Sequence, residues 1–377
     1  MKLNEIVEAI TKGASAAYVA AEAKGATMPD VKSIVNLAGT IESIQNGSKY
    51  KPMRGPYDET KGREGTKIVF AVEAGQKIFI SRVTKASSSP SFTIDWGDGD
   101  VRTFTTGWDY GGALESTFNG SHVYAVGGEY TVTVSDDVTF VSVHGSSYRS
   151  NNQIHYMDRT NKMSLLSVRA CLQWGTKITT TENVFCCCHN MVAFPCWNNA
   201  VQSTAYTYAF CYDLCGDVPA WSPATTNAQS TYQYCFMISG SIPNWGDRIA
   251  NAQSTYDSCF SLIGGVPSWG ASITTAANTF IKCYGLTGAI PPWTDTVTSA
   301  SSTYAYCSGL SGSIPRWGAG ITNATETYYC NPLLTSAWDG ATDEELMPTR
   351  ITSYARCVSS CGTGLRALFT SAWGGTK

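Results

Sequence analysis

The fold of the larger part of the chain is decided by a repeat, and its clearest copy is residues 249–269, IANAQSTYDSCFSLIGGVPSW. Residues equivalent to Tyr256, Cys259 and Trp269 of this copy recur every 24 positions over several consecutive copies. A fixed period of this length is typical of stacked units, each of which buries the open face of its neighbour. The sequence therefore predicts about seven stacked repeats rather than a single globular core.

The tryptophans give the register of these repeats. Six of them lie 24 residues apart: Trp197, Trp221, Trp245, Trp269, Trp293 and Trp317. One further copy lies upstream, at Trp174 and Cys188, and there one residue is missing from the spacing. Downstream, Cys330 comes one residue early, and the pattern loosens through Cys357 into what we expect to be a C-terminal cap.

Within one copy, the apolar spacing predicts a short helical turn. Ala252, Tyr256 and Cys259 are four and three residues apart, which places them on one face of a helix. The glycines at 264–265 end this turn, and residues 266–267 begin a brief extended segment toward the tryptophan. A helical turn, a short strand and a loop form the plan of a leucine-rich-repeat coil.

The repeated string F/Y-x-x-C-x-x-L, followed by I-P-x-W, resembles the BspA-like leucine-rich repeats of bacterial surface proteins. It is closest to their tryptophan-bearing variant, and the resemblance covers about residues 165–365. This resemblance implies a leucine-rich-repeat solenoid used for display and adhesion, not for catalysis.

The pattern changes to β-strands between residues 67 and 145. Apolar and polar residues alternate in stretches such as KIVFAVEAG and GEYTVTVSD, which predicts an antiparallel sandwich. The strings IDWGDGD at 94–100, HVYA at 122–125 and GEYTV at 128–132 resemble the PKD-type immunoglobulin-like domain. The chain departs from that family where Asp95 precedes the tryptophan and no phenylalanine precedes the next glycine. The resemblance implies a spacer domain in a surface protein.

The N-terminal residues predict two short helices, each with an apolar stripe. Leu3, Ile6 and Ile10 are three and four residues apart, and a second stripe runs from Ile34 to Ile44. One interpretation is that these stripes pack on the body of the protein. The other is self-association, as a homotrimer, or docking onto a larger assembly.

Together these patterns predict a multidomain α+β protein. Residues 1–45 are expected to be a helical anchor for oligomerisation and residues 46–66 a linker. Residues 67–145 are expected to form the PKD-like sandwich, and residues 146–377 the leucine-rich-repeat-like solenoid with its cap.

Composition excludes several classes of function. Charged residues are only 15% of the chain, its net charge is −3 and it has no Lys/Arg cluster, so we expect no nucleic-acid binding. No apolar run approaches the length of a membrane span. Asn4, Glu5 and Glu8 interrupt the N-terminal apolar residues, so no secretory signal is expected. We interpret most of the 14 cysteines as reduced, small, buried side chains.

The six aligned tryptophans are the candidate ligand-binding residues, with two interpretations. They either fill the space between repeats, since a tryptophan buries a large area, or form a stripe of flat faces on which sugar rings or peptide side chains stack. The residue before each tryptophan varies, which indicates that this neighbour is exposed. In a strand the tryptophan would then point inward.

We expect no catalytic residues, no metal and no cofactor. The carboxylates within residues 95–100 lack a full calcium-loop pattern, and we expect them to accept backbone N–H groups in a tight turn. Residues 186–189, Cys-Cys-Cys-His, offer zinc-type donors. Consecutive residues of a regular element point in different directions, however, unlike a C-x-x-C pair. No nucleophile or metalloprotease motif is present.

These observations favour a phage virion protein: a tail-fibre, tail-tip or head-fibre component without enzymatic activity. Its N-terminal helices would contact other virion proteins, and its repeats would bind a glycan or protein of the host surface. The alternative is a bacterial surface adhesin built from the same modules. A polysaccharide depolymerase ranks third, because no pair of carboxylates is shown to converge.

Overall fold

The computed structural model describes residues 65–109, 120–144 and 159–373, all of which belong to one compact unit. The predicted helical anchor at 1–45 and nearly all of the linker lie outside the described residues. No helix of the described ranges has the length and apolar character needed to cross a membrane.

Nine antiparallel strands occupy the first part of the described chain. They are β1 (Thr66–Val72), β2 (Lys77–Phe79), β3 (Arg82–Lys85), β4 (Phe92–Asp95), β5 (Val101–Phe104), β6 (Trp108–Asp109), β7 (Ser121–Val123), β8 (Gly128–Val134) and β9 (Val138–Ser142). They form small sheets around a core to which Phe70, Trp96 and Tyr124 contribute, each less than 1% exposed. Apolar residues alternate with polar ones along several of these strands, which places one face of each on the core.

The largest sheet joins this part of the chain to the next. Its strand order is β10-β1-β8-β4-β5, and β10 (Val168–Gln173) pairs antiparallel with β1 although it lies about a hundred residues later. Helix α1 (Arg159–Leu166) leads into β10. Strand β10 falls in the range that the sequence assigned to the repeats, yet it is an edge strand of the main sheet. We call strands β1–β10 the β region.

The repeat region, residues 174–361, is a stack of rungs, each beginning at a tryptophan. Parallel bridges connect equivalent residues of successive rungs: Thr180, Ser203, Asn227, Asn251, Thr275, Ser299, Asn323 and Ser353. Alternate N–H groups donate to the next rung, as from Tyr208 to the Thr231 carbonyl at 2.9 Å. The N–H groups between them close turns inside their own rung, as from Thr207 to the Thr204 carbonyl at 3.1 Å.

The helical turn predicted for each repeat is wrong. Ser254 and Ser258 of the fourth rung have φ values of 54° and 61°, and the equivalent residues of the other rungs are also left-handed. A right-handed helix requires negative φ throughout, so each rung is instead a chain of linked turns. Ala252, Tyr256 and Cys259 still share a buried side, as their spacing indicated, but a series of turns places them there.

The predicted α+β fold class with a leucine-rich-repeat solenoid is therefore also wrong. Besides α1, the described chain has only the short helices α2 (Asp343–Leu346), which is inserted in the last rung, and α3 (Thr363–Trp373), which follows that rung. Its regular structure is mostly β, in several small sheets. Four short strands form two parallel pairs in the repeat region: β11 (Gly216–Asp217) with β12 (Ile238–Ser239), and β13 (Gly312–Ile314) with β14 (Leu334–Ala337).

Small polar side chains satisfy backbone carbonyls inside the stack. The Thr255 hydroxyl lies 2.8 Å from the Ala252 carbonyl and 2.9 Å from the Ala228 carbonyl of the preceding rung. The Cys259 thiol donates to the Tyr232 carbonyl at 3.1 Å. Equivalent Thr and Cys residues do the same in neighbouring rungs. These bonds matter because a buried carbonyl without a donor is costly.

The cysteine ladder continues through the region where the sequence pattern loosens. Asn331 takes the ladder position after Cys307, and its side-chain amide donates to the Tyr304 carbonyl at 2.7 Å. Cys361 follows it and donates to the Tyr328 carbonyl at 2.9 Å. Cys330 is not an early ladder residue, because it occupies the left-handed position with φ of 59°.

Candidate functional site

The predicted tryptophans lie inside the stack. Their exposed fractions are between 3% and 8%, for Trp197, Trp221, Trp245, Trp269, Trp293 and Trp317. Trp245 stacks on Trp221 and Trp269 with centroids 5.9 Å apart in each case and planes within 10° of parallel. Trp197, Trp221, Trp245 and Trp269 each have an indole stacked on both faces, and Trp293 has one on a single face.

Five of the six residues before the tryptophans agree with this inward orientation. Ala220, Asn244, Ser268, Pro292 and Arg316 are exposed, as expected when adjacent side chains point to opposite sides, whereas Cys196 is buried. A second buried ladder of Tyr and Phe lies beside the indoles, with successive centroids 5.7 to 6.0 Å apart. The geometry favours the packing interpretation of the tryptophans, and a ligand-binding role for them stays a prediction.

A different row of aromatic side chains reaches the surface. It consists of Tyr212, Phe236, Phe260 and Tyr284, one in each of four successive rungs, and we call it the aromatic row. Successive ring centroids are 5.1, 4.9 and 5.4 Å apart. The first two rings are half-buried, whereas Phe260 is 40% and Tyr284 47% exposed.

The exposed end of the aromatic row offers an accessible ring face. Tyr284 is tilted by 37° from Phe260, and the equivalent residue of the next rung is Ser308, so no aromatic ring follows it. Met237 and Ile263 are 40% and 57% exposed and lie one and three residues after members of the row. Exposed apolar side chains on neighbouring rungs, as at Phe260 and Tyr284 with ring centroids 5.4 Å apart, indicate a binding surface more than isolated ones do.

The sequence contains a signal for the aromatic row that our sequence analysis missed. Each member directly follows a ladder cysteine: Cys211, Cys235, Cys259 and Cys283. Because those cysteines point into the stack, the next residue has to point outward, and an aromatic residue at four successive outward positions is not required for packing.

The acidic turn of the β region is satisfied by the protein itself. As predicted, Asp95 and Asp98 accept backbone N–H groups, from Gly97 at 2.8 Å and Asp100 at 3.2 Å. The second oxygen of Asp98 lies 2.7 Å from His122 Nε2. Burial acts to raise the pKa of Asp98, but the hydrogen bonds from His122 and Asp100 hold that pKa below its usual value.

Side chains with metal-ligand atoms meet in another place, where the first rung contacts the β region. His144, Cys186 and Cys187 are buried, and their ligand atoms lie within 4.8 Å of one another. The hydrogen bond from Cys186 lowers the pKa of Cys187 against the effect of burial, and His144 and His189 act in the same direction. Two thiols and an imidazole are therefore brought together in one buried cluster.

The thiols of the cysteine ladder differ from Cys187 in the direction of their pKa shifts. Burial raises the pKa of Cys211, Cys235, Cys259 and Cys283, and raises that of Cys307 to about 12. These thiols are inaccessible and protonated, which suits packing and not reactivity.

No family model matches the chain, and neither the curated proteins nor the solved structures gave a match.

Proposed function

We propose that the chain is a non-enzymatic phage virion protein whose repeat region attaches the particle to a neutral glycan of the host surface through the aromatic row. The support begins with the arrangement of the modules. A β region whose motifs resemble those of a spacer domain precedes a repeat stack, and pairing of β10 with β1 joins the two through one sheet. Such a joint would hold the binding surface at a set distance from the attachment point.

The observation that carries the proposal is the exposure of Phe260 and Tyr284 in register on neighbouring rungs. Apolar ring surface in water is an unfavourable exposure that a ligand relieves. The open side of Tyr284 suits the apolar face of a sugar ring. Residues 201–330 contain only nine charged side chains, so nothing there favours a highly charged ligand.

The experiment uses the full chain, because removal of the residues before the repeats would strip β1 from β10. The Phe260→Ser/Tyr284→Ser variant is compared with the unmodified protein on glycan arrays and on host cells. Serine already occupies the equivalent position 308, so the fold should tolerate it. We expect affinity to fall by about tenfold or more, since losing two ring contacts removes at least ~1.4 kcal/mol.

The matched control is Val126→Ser, which removes an apolar side chain that is 67% exposed in the β region. It should bind like the unmodified protein. Equal binding by all three proteins would contradict the proposal that the aromatic row binds the glycan.

The location is tested separately, by mass spectrometry of purified phage particles. Finding the chain there at a fixed ratio to the other structural proteins supports the virion assignment. Its absence from particles, with recovery from the envelope of uninfected bacteria, would favour the adhesin alternative. Release of sugar from host polysaccharide would contradict the absence of enzymatic activity.

A further inference from the structure

Two adjacent cysteines of the first rung, Cys186 and Cys187, have no part in the cysteine ladder. Cys188 holds the ladder position of this rung, whereas Cys186 and Cys187 lie just before it. The equivalent pairs in the next two rungs are Ala209–Phe210 and Gln233–Tyr234. The packing of a rung therefore does not require cysteine at either position, and these two thiols need another explanation.

The backbone brings the two thiols together. Cys187 has a left-handed φ of 64°, so the chain turns and the sulfurs of adjacent residues lie 3.7 Å apart. This removes the objection that consecutive residues point apart, which applies only to a regular helix or strand. The β region supplies a third donor, His144, which lies two residues after the end of β9 and is 1% exposed.

The separation of the two sulfurs fits a tetrahedral zinc site. With Zn–S bonds of about 2.3 Å, two thiolates on one ion are about 3.8 Å apart, and a thiolate and an imidazole nitrogen about 3.6 Å apart. The observed sulfur separation is 3.7 Å, and all three ligand atoms lie within 4.8 Å of one another. Movement of the imidazole by roughly 1 Å completes the triangle.

We propose that this cluster binds one Zn²⁺ ion through His144, Cys186 and Cys187. Binding converts the two thiols to thiolates and releases their two protons, with no change in oxidation state. A fourth ligand would come from His189, two residues after Cys187, whose Nε2 atom is buried without a hydrogen-bond partner among the described residues. His189 is not one of the three residues whose ligand atoms lie within 4.8 Å of one another.

The neighbouring contacts hold the donors in place. The hydroxyl of Ser142 lies 3.0 Å from both the N–H and the carbonyl oxygen of His144, and 3.3 Å from the carbonyl of Val184 in the first rung. One ligand comes from the β region and two come from the repeat region. The ion therefore acts as a cross-link between them, close to the junction that β10 makes with β1.

The test is metal analysis of the untagged full chain, purified under a thiol reductant with Zn²⁺ supplied during expression. We expect one zinc ion per chain, and near-zero zinc in Cys186→Ser/Cys187→Ser. Cys259→Ser is the matched control, because it removes a buried ladder thiol three rungs away and should retain the metal. His144→Gln should weaken zinc binding by about tenfold or more.

Cobalt titration of the metal-free unmodified chain decides the question even if the double variant does not fold. Thiolate-bound Co²⁺ gives a charge-transfer absorption in the near ultraviolet that imidazole or carboxylate ligands alone do not give. We expect that absorption to saturate at one Co²⁺ per chain and to disappear when Zn²⁺ is added. Purified protein without stoichiometric zinc, together with no such absorption, would overturn the proposal.

Discussion

The β region and the repeat region bury their aromatic side chains in different ways. In the β region, Trp96, Tyr124 and Phe92 each have a unique set of partners: Trp96 stacks on His122, and its carbonyl accepts the Tyr124 hydroxyl at 2.8 Å. In the repeat region the same type of residue stacks on its own equivalent from rung to rung. The difference shows that a stacked fold uses the same core contacts in every rung, because each rung has to fit the rung before and the rung after.

The two regions also satisfy their backbones differently. The β region relies on antiparallel strand pairs, whereas the rungs use Thr hydroxyls and Cys thiols to reach carbonyls that their turns leave without a backbone donor. The repeat region therefore concentrates buried titratable thiols and phenols, and the β region holds few of them. This contrast leads to three predictions.

The largest expected effect is destabilisation of the folded repeat region at alkaline pH. Burial raises the pKa of the ladder thiols and of phenols such as Tyr232 and Tyr256, so the folded state keeps protons that the unfolded chain releases. The stabilisation from the thiols is complete below their unfolded pKa of about 8.5, and that from the phenols below about 10. Each group's stabilisation is lost as the pH rises above its unfolded value, by up to about 1.4 kcal/mol per pH unit. Denaturant unfolding at increasing pH, in the presence of a reductant, measures this fall in the free energy of unfolding.

The control for this pH dependence is a pair of single variants. Cys307→Ser removes one buried titrating thiol and should make the dependence less steep, whereas Cys215→Ser changes an exposed thiol and should leave it unaltered. As the pH rises, amide hydrogen exchange should accelerate in the rungs before it accelerates in β1 and β8. Equal acceleration in both regions would contradict the expected difference in their pH dependence.

An intermediate effect is expected from Trp269→Ala, in the middle of the indole stack. Trp269 is 6% exposed and lies between Trp245 and Trp293, with centroids 5.9 and 5.3 Å away. Removing it should lower the free energy of unfolding by about 3–5 kcal/mol. Phe260→Ala, in the exposed aromatic row, should cost less than about 1 kcal/mol. Urea unfolding of the two variants side by side tests whether the tryptophans are buried and the aromatic row is exposed.

The smallest expected effect is a loss of stability in Tyr328→Phe. The indole N–H of Trp293 donates to the Tyr328 hydroxyl at 2.8 Å, whereas the equivalent pair Trp269 and Tyr304 has neither its indole N–H nor its hydroxyl hydrogen-bonded among the residues described. Removing the Tyr328 hydroxyl leaves the buried Trp293 N–H without its acceptor and should lower the free energy of unfolding by about 1 kcal/mol.

Tyr304→Phe is the matched control, because it removes a buried hydroxyl that has no hydrogen-bond partner among the described residues, and it should change the free energy of unfolding less. Phenylalanine already occupies the equivalent position at Phe280, so the fold should tolerate both changes. Equal losses of stability in the two variants would show that the Trp293–Tyr328 hydrogen bond makes no contribution of its own.

The sequence by itself determined which residues stack on one another. A strict 24-residue spacing puts equivalent side chains in register, so the Trp, Tyr/Phe and Cys ladders could be predicted. It also placed β-strands between residues 67 and 145. Helical spacing was misleading, because Ala252, Tyr256 and Cys259 reach one side through linked turns, and left-handed backbone at Ser254 and Ser258 carries no glycine signal.

Only the tertiary structure decided which ladder is buried and what the first rung meets. Periodicity is the same for a ladder inside the stack and for one on its surface, so spacing could not separate Trp269 from Phe260. The pairing of β10 with β1, and the approach of His144 to Cys186 and Cys187, join residues far apart in the chain. Such contacts depend on how the β region and the stack pack together, and no local pattern specifies that packing.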